Sequence, residues 1–214
     1  MEHYLHLDVI MSLTIKPLNM KSVKFLIAMA IVFALYSFNT IENDTTLSLD
    51  TSKSNATWTG YHLAKSYEHT GNINFKSGSI ELTDGELAGG AFVIDMNSIS
   101  NEDLSGSKNA KLVNHLKSED FFYVEKYDEA ILKLTEVNSK GDNTYDVTAD
   151  LTIRGITESI DFTIEVNNDQ ADVFQANANL KIDRSIYKVM YGWSVENAVI
   201  SNEFDLEVNI TASE

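Results

Sequence analysis

From residue 47 onward, apolar and polar positions alternate with a period of two, the pattern of strands that bury one face. In INFKSGSIEL, Ile73 and Phe75 share one parity and Ile80 and Leu82 the other, which predicts two strand segments around a turn at Ser77 and Gly78. AFVIDM aligns Phe92, Ile94 and Met96. AILKLTEV and TYDVTADLTI flank SKGDN, a hairpin signal, and the second aligns Tyr145, Val147, Ala149, Leu151 and Ile153. SIDFTIEV aligns Ile160, Phe162, Ile164 and Val166 ahead of a turn at NNDQ. FQANANLKI places Phe174, Ala176, Ala178, Leu180 and Ile182 on one face, and EFDLEVNI does so for Phe204, Leu206, Val208 and Ile210.

With a further strand pattern near residues 47–60, the count comes to about eight. Eight antiparallel strands with one apolar face each require two stacked sheets or a closed barrel, and a barrel of that size can hold one small ligand. The small Ala176 and Ala178 between Phe174 and Leu180 leave room on the inner face, for a cavity or for a bulky neighbour. One stretch breaks the pattern. In SNEDLSGSKNAKLVNHLKSEDFF, Leu112, Val113 and Leu116 follow helical spacing, and Ser118 is placed to cap a further short turn starting at Glu119 and Asp120. A helical crossing between strands is expected there. The paired Phe121 and Phe122 are expected either to divide, one closing an end of the barrel and the other packing its core, or both to pack the core.

The N-terminal region differs in kind. Met20, Lys21 and Lys24 precede an apolar run from Phe25 to Phe38, the basic and hydrophobic regions of an export signal. That run is short for a span, which needs about 20 apolar residues. Residues 1–39 are therefore read as an extension plus signal peptide, with Met20 as the start, and 40–214 as one barrel domain. The chain has no cysteine, which excludes a lipoprotein anchor, disulfides and thiol chemistry. Removing residues 1–39 shifts the formal charge from −16 to −17. Such a surface repels phosphate backbones, so nucleic acid is excluded as a partner.

Candidate chemistry is sparse. His115, Lys117, Glu119 and Asp120 are neighbours in sequence, but a general base needs an orienting partner and a reacting group within hydrogen-bond reach. On a helix, His115 and Glu119 could share a face, a pairing that stabilises by a few tenths of a kcal/mol. His62, His69 and His115 lack the spacing of a helical zinc pair, so neither metal nor catalytic residues are expected. GELAGG contains three glycines between strand patterns and reads as a bulge or turn. Arg154 and Arg184 are the only arginines, each at the end of an apolar strand pattern, where a local acid is the commoner partner and a ligand head group the other.

The segments HTGNINFKSGSIEL, GGAFVIDMNSI, LVNHLKSEDFFYVEKYDEA, LTIRGIT and KIDRSIYKVMYG occur in that order and cover nearly all of the expected domain. In them the chain resembles the YceI family, lipocalin-like proteins of the bacterial periplasm, in its Bacteroidetes-type form. It departs where a proline commonly follows Lys126 and Tyr127 and this chain has Asp128. The resemblance implies an all-β fold, an eight-stranded antiparallel lipocalin-like barrel with a short helical crossing segment. It implies a long hydrophobic interior that binds polyisoprenoid or other long amphiphilic lipids, quinone types included, with no cofactor and no catalysis. The lining and rim residues it implies are Phe75, Phe92, Ile94, Met96, Phe121, Phe122, Leu151, Ile153, Phe162 and Ile164, joined by Arg154, Arg184, Tyr187 and Trp193. The expected partner is the lipid itself, in the periplasm, without stable membrane insertion after signal cleavage; a homodimer is compatible with this reading. Burying about ten methylene equivalents is worth roughly 8 kcal/mol before association costs, against about 0 to 1 for an exposed ion pair to a head group. Affinity is expected to follow the apolar lining, with the two arginines secondary.

Overall fold

The computed structural model describes residues 20, 42–63, 67–167, 173–190 and 200–214. The expected signal segment and Trp193 lie outside the described residues. The unit Glu42–Glu214 contains β1 (Asp44–Leu49), β2 (Asn55–His62), β3 (Glu68–Thr83) and β4 (Glu86–Asp95). A 3-10 turn (Met96–Ser98) and helix α1 (Gly106–Lys117) follow. The rest is β5 (Glu129–Gly141), β6 (Thr144–Ile153), β7 (Ile156–Val166), β8 (Phe174–Asp183) and β9 (Ile200–Ser213).

Each of β2 to β8 pairs antiparallel with the next, and β9 returns to pair with β2, so the sheet closes on itself. The nine segments make an eight-stranded barrel because β1 and β2 occupy one strand position in succession. Both pair with β3 and with β9. Between the pairs Ser48↔Ser79 and Ala56↔Ile73, eight residues of the first strand pass against six of β3. The surplus is absorbed at Asp50–Ser54, where the Asp50 carboxylate accepts hydrogen bonds from the Ser52 hydroxyl (2.6 Å) and backbone N–H (3.0 Å).

The alternation is realised almost throughout. Tyr145, Val147, Ala149, Leu151 and Ile153 are all buried, as are Phe174, Ala176, Ala178, Leu180 and Ile182. SKGDN makes the hairpin, with Gly141, Asp142 and Asn143 at positive φ. The expected turn at Ser77 and Gly78 does not form. β3 runs straight through, and a register shift between Phe75 and Ser77 swaps the inward parity from Phe75 to Ile80. A bulge inserts one unpaired residue, which is what a parity change within one strand requires. GELAGG supplies the neighbouring turn, with Gly85 at φ 84, and then enters β4.

Helix α1 buries Leu116 and packs Leu112 against the core, and His115 and Lys117 face its carbonyl end. Ser118 ends this helix and does not cap a new one: its backbone N–H and its hydroxyl both donate to the His115 carbonyl, at 3.1 and 2.7 Å. Glu119 consequently lies past the helix and exposed, so it and His115 do not share a helical face. The Ser118 carbonyl then accepts from Phe121 N–H (3.1 Å) and Tyr123 N–H (2.8 Å), forming the turn that presents both phenylalanines.

The approach to α1 is bound to the barrel wall. Ser100 N–H donates to Asn72 O and Glu102 N–H to Thr70 O, both at 2.9 Å, while Trp58 Nε1 donates to Ser100 O at 3.0 Å. Only a glycine permits this approach: a Cβ at Gly71 would stand 1.9 Å from Ser100 O. Among the described residues, no helix is long and apolar enough to cross a membrane.

Candidate functional site: a two-chambered barrel interior

At the end where β1 lies, inward side chains join the buried core. Leu47, Ile80, Leu87, Val147, Phe174 and Ala212 are buried there and border neither of the cavities described next. Toward the α1 end the inward side chains part around an inner chamber of about 970 Å³ of non-atom space, its open end included. Its walls are apolar side chains apart from Asn177.

Nine of the residues expected to line the barrel do so. Phe75, Phe92, Ile94 and Met96 come from β3, β4 and the 3-10 turn, Phe122 from the turn after α1. Leu151 and Ile153 come from β6, Phe162 and Ile164 from β7. The room predicted beside Ala176 and Ala178 is chamber: both line it, with Leu180 and Ile182. The inward row of β9, Phe204 to Ile210, completes the wall, with Leu132 and Leu134 of β5. These β5, β8 and β9 residues were absent from the expected site, although the same alternation marks them.

A second, outer chamber of about 1,050 Å³, open end again included, lies beneath α1. Its walls mix apolar and polar groups: Trp58, Leu112, Leu116 and Phe121 with His62, His69, His115, Arg184 and Glu203. Phe121 is buried, its ring 5.0 Å from Phe122 edge-on and 5.7 Å from His115. His69 Nδ1 meets Asp103 Oδ2 at 2.7 Å. Burial pushes the Asp103 carboxyl up, but hydrogen bonds from His69, Thr70 N–H and Asn101 outweigh it and hold the group below its ordinary pKa. Tyr61 also borders the outer chamber, but its hydroxyl donates away from it to Asp205 Oδ2 at 2.7 Å, and this bond, with burial, pushes its pKa up to about 12. No local pattern announces these partners, which are 34 and 144 residues apart. Among the described residues, no group of three or more histidine, aspartate or glutamate side chains is placed to hold a metal ion.

The two arginines differ in their placement. Arg154, at φ 52, is outside both chambers; its Nη1 donates to the carbonyls of Phe121 (2.7 Å) and Lys188 (2.8 Å) and joins two loops at the rim. Arg184 is 3% exposed and borders the outer chamber. It donates to the carbonyls of Ser201 (2.9 Å), Val189 (2.6 Å) and Ile200 (3.3 Å), and its guanidinium lies 5.9 Å from the Phe121 ring centre. Burial lowers its pKa. Both arginines bind backbone carbonyls at the barrel end, acceptors that a planar, many-donor group can satisfy. Tyr187 is completely buried and outside both chambers, so it is a packing residue at the loop base and not a lining one.

Comparison with known proteins agrees with this architecture. A family profile described as "YceI-like domain" matches residues 47–212. A UPF0312 protein of Pseudomonas putida is 31% identical over 115 residues, which cover 54% of this chain and 57% of the relative. The chain thus spans little more than half the length of that curated relative. Among solved structures, Burkholderia cenocepacia BcnA superposes with a TM-score of 0.66 at 20% identity, covering 77% of this chain and 99% of BcnA. A polyisoprenoid binding domain from Saccharophagus degradans, implicated in plant cell wall breakdown, gives 0.59 at 18% identity, over 78% and 97% of the two chains. At such identities the structures establish the fold, and the profile establishes kinship: this chain belongs to the YceI-like family.

Proposed function

We propose that this protein is an exported, periplasmic carrier of polyisoprenoid or similar long-chain amphiphilic lipids, which it holds in the barrel and releases unchanged. The observation that carries the reading is the inner chamber: a closed barrel surrounds a space walled by apolar side chains apart from Asn177. An alkyl or prenyl chain loses its contact with water there at about 0.8 kcal/mol per methylene, and no buried polar group has to be left unpaired by it. The polar groups gather in the outer chamber, the arrangement that an amphiphile requires. The Saccharophagus polyisoprenoid binding domain, which shares the fold, supports the same ligand class. The basic and apolar N-terminal run supports export.

Native mass spectrometry of protein purified from its own host tests the reading, followed by lipid extraction and titration with a prenyl quinone. A copurifying long-chain lipid and saturable quinone uptake are expected. Lipid-free protein that takes up no quinone would overturn it. Cell fractionation tests the compartment, with mature protein expected in the periplasmic fraction and retention in the cytosol refuting export.

A further inference from the structure

The inner and outer chambers share two wall residues, Phe122 and Phe204. They come from different elements. Phe122 follows α1, its backbone N–H bonded to Leu116 O at 3.1 Å, and its ring abuts Phe121 edge-on. Phe204 is on β9, in register with Ile182 on one side and Gly60 on the other. Gly60 also borders the outer chamber, and a Cβ placed there would find nothing closer than Trp58 Cζ3 at 3.8 Å, an ordinary contact. A slot therefore lies beside Phe204. On one side of the rings the walls are apolar, and on the other stand Arg184, Glu203 and the histidines.

We propose that Phe122 and Phe204, with the slot at Gly60, form a constriction that selects amphiphiles by chain length. The inference rests on the lipid-binding reading. A short tail with its polar end in the outer chamber stops at the rings and buries little more than that chamber allows. A longer tail passes between them and gains the inner chamber, methylene by methylene, which offsets the cost of moving the Phe122 ring from its contact with Phe121. The wild-type protein therefore binds short tails weakly and long tails steeply better.

The test is native mass spectrometry of the purified protein with prenyl quinones carrying short, intermediate and long tails. Wild type is expected to show a sharp rise in affinity between short and long. Phe122→Ala, with Phe122→Leu as the variant that retains most of the packing, should improve short-tail binding about ten-fold and change long-tail binding less than about three-fold. Gly60→Val should fill the slot and weaken the long tail about ten-fold, and the short tail by less. Folded variants that keep the wild-type length profile would overturn the constriction. Failure of the wild type to bind any quinone would instead remove the lipid-binding reading, and the constriction with it.

Discussion

Replacing Ala178 with leucine adds three carbon atoms to the inner face of β8, where Ala178 is 8% exposed and lies in register with Ile164 and Val208, both chamber residues. In a solid core this is overpacking, and off-rotamer side chains and shifted backbone cost about 1–3 kcal/mol. In a hollow one the new atoms enter space that is already there. Three methylene equivalents taken from water are worth up to about 2.4 kcal/mol, so stability should hold or rise by up to about 2 kcal/mol. The same atoms exclude about three methylenes of ligand, which weakens lipid binding by a similar free energy, about 50-fold in Kd. Stability and affinity are thus predicted to move in opposite directions. The assay pairs urea denaturation, read as a change of midpoint at constant slope, with prenyl-quinone titration of the same preparation. A loss of more than 1 kcal/mol with unchanged affinity would refute the hollow-barrel reasoning and leave a solid β-domain in its place.

Three further outcomes are expected. Gly71→Ala would drive a Cβ to 1.9 Å from Ser100 O, detaching the approach to α1 and destabilising by about 2–3 kcal/mol in a denaturant melt, whereas a change under 0.5 would show that the approach yields freely. Tyr187→Phe removes a completely buried hydroxyl that has no hydrogen-bond partner among the described residues, so thermal unfolding should shift upward, by about 1 kcal/mol, with quinone affinity unchanged; a drop in either would show that the hydroxyl is used. Tyr61 and Tyr187 are both pushed up to about 12, the first mainly by its hydrogen bond to Asp205 and the second by burial. Because their folded pKa values exceed the ordinary 10.0, their ionisation leaves stability unchanged below pH 10 and lowers it as pH rises from 10 through about 12. Ultraviolet titration should show late ionisation that merges with alkaline unfolding, and their titration together with free tyrosine near 10 would refute it.

The alternation alone determined the strands, their inward faces and, with the tertiary requirement that eight one-sided strands bury those faces, a closed or stacked β fold. Because side-chain direction in a strand has a strict period of two, residues such as Leu151, Ile153, Phe162 and Ile164 were legible as interior from sequence. That parity could not say whether an inward residue meets a partner or a void. Val147 and Leu151 share one face of β6, yet Val147 is packed and Leu151 borders the chamber, a distinction set by which strands and small residues face them across the barrel. Ala176 and Ala178 admitted either outcome until the opposite wall was in place. The bulge in β3 was hidden for a related reason: a change of parity is written identically by a turn and by one unpaired residue. Only the tertiary structure joined His69 to Asp103, aimed Arg154 and Arg184 at loop carbonyls, and set Phe122 and Phe204 at the meeting of two chambers. Those are contacts between distant segments, made by closure of the barrel, and local spacing carries no record of them.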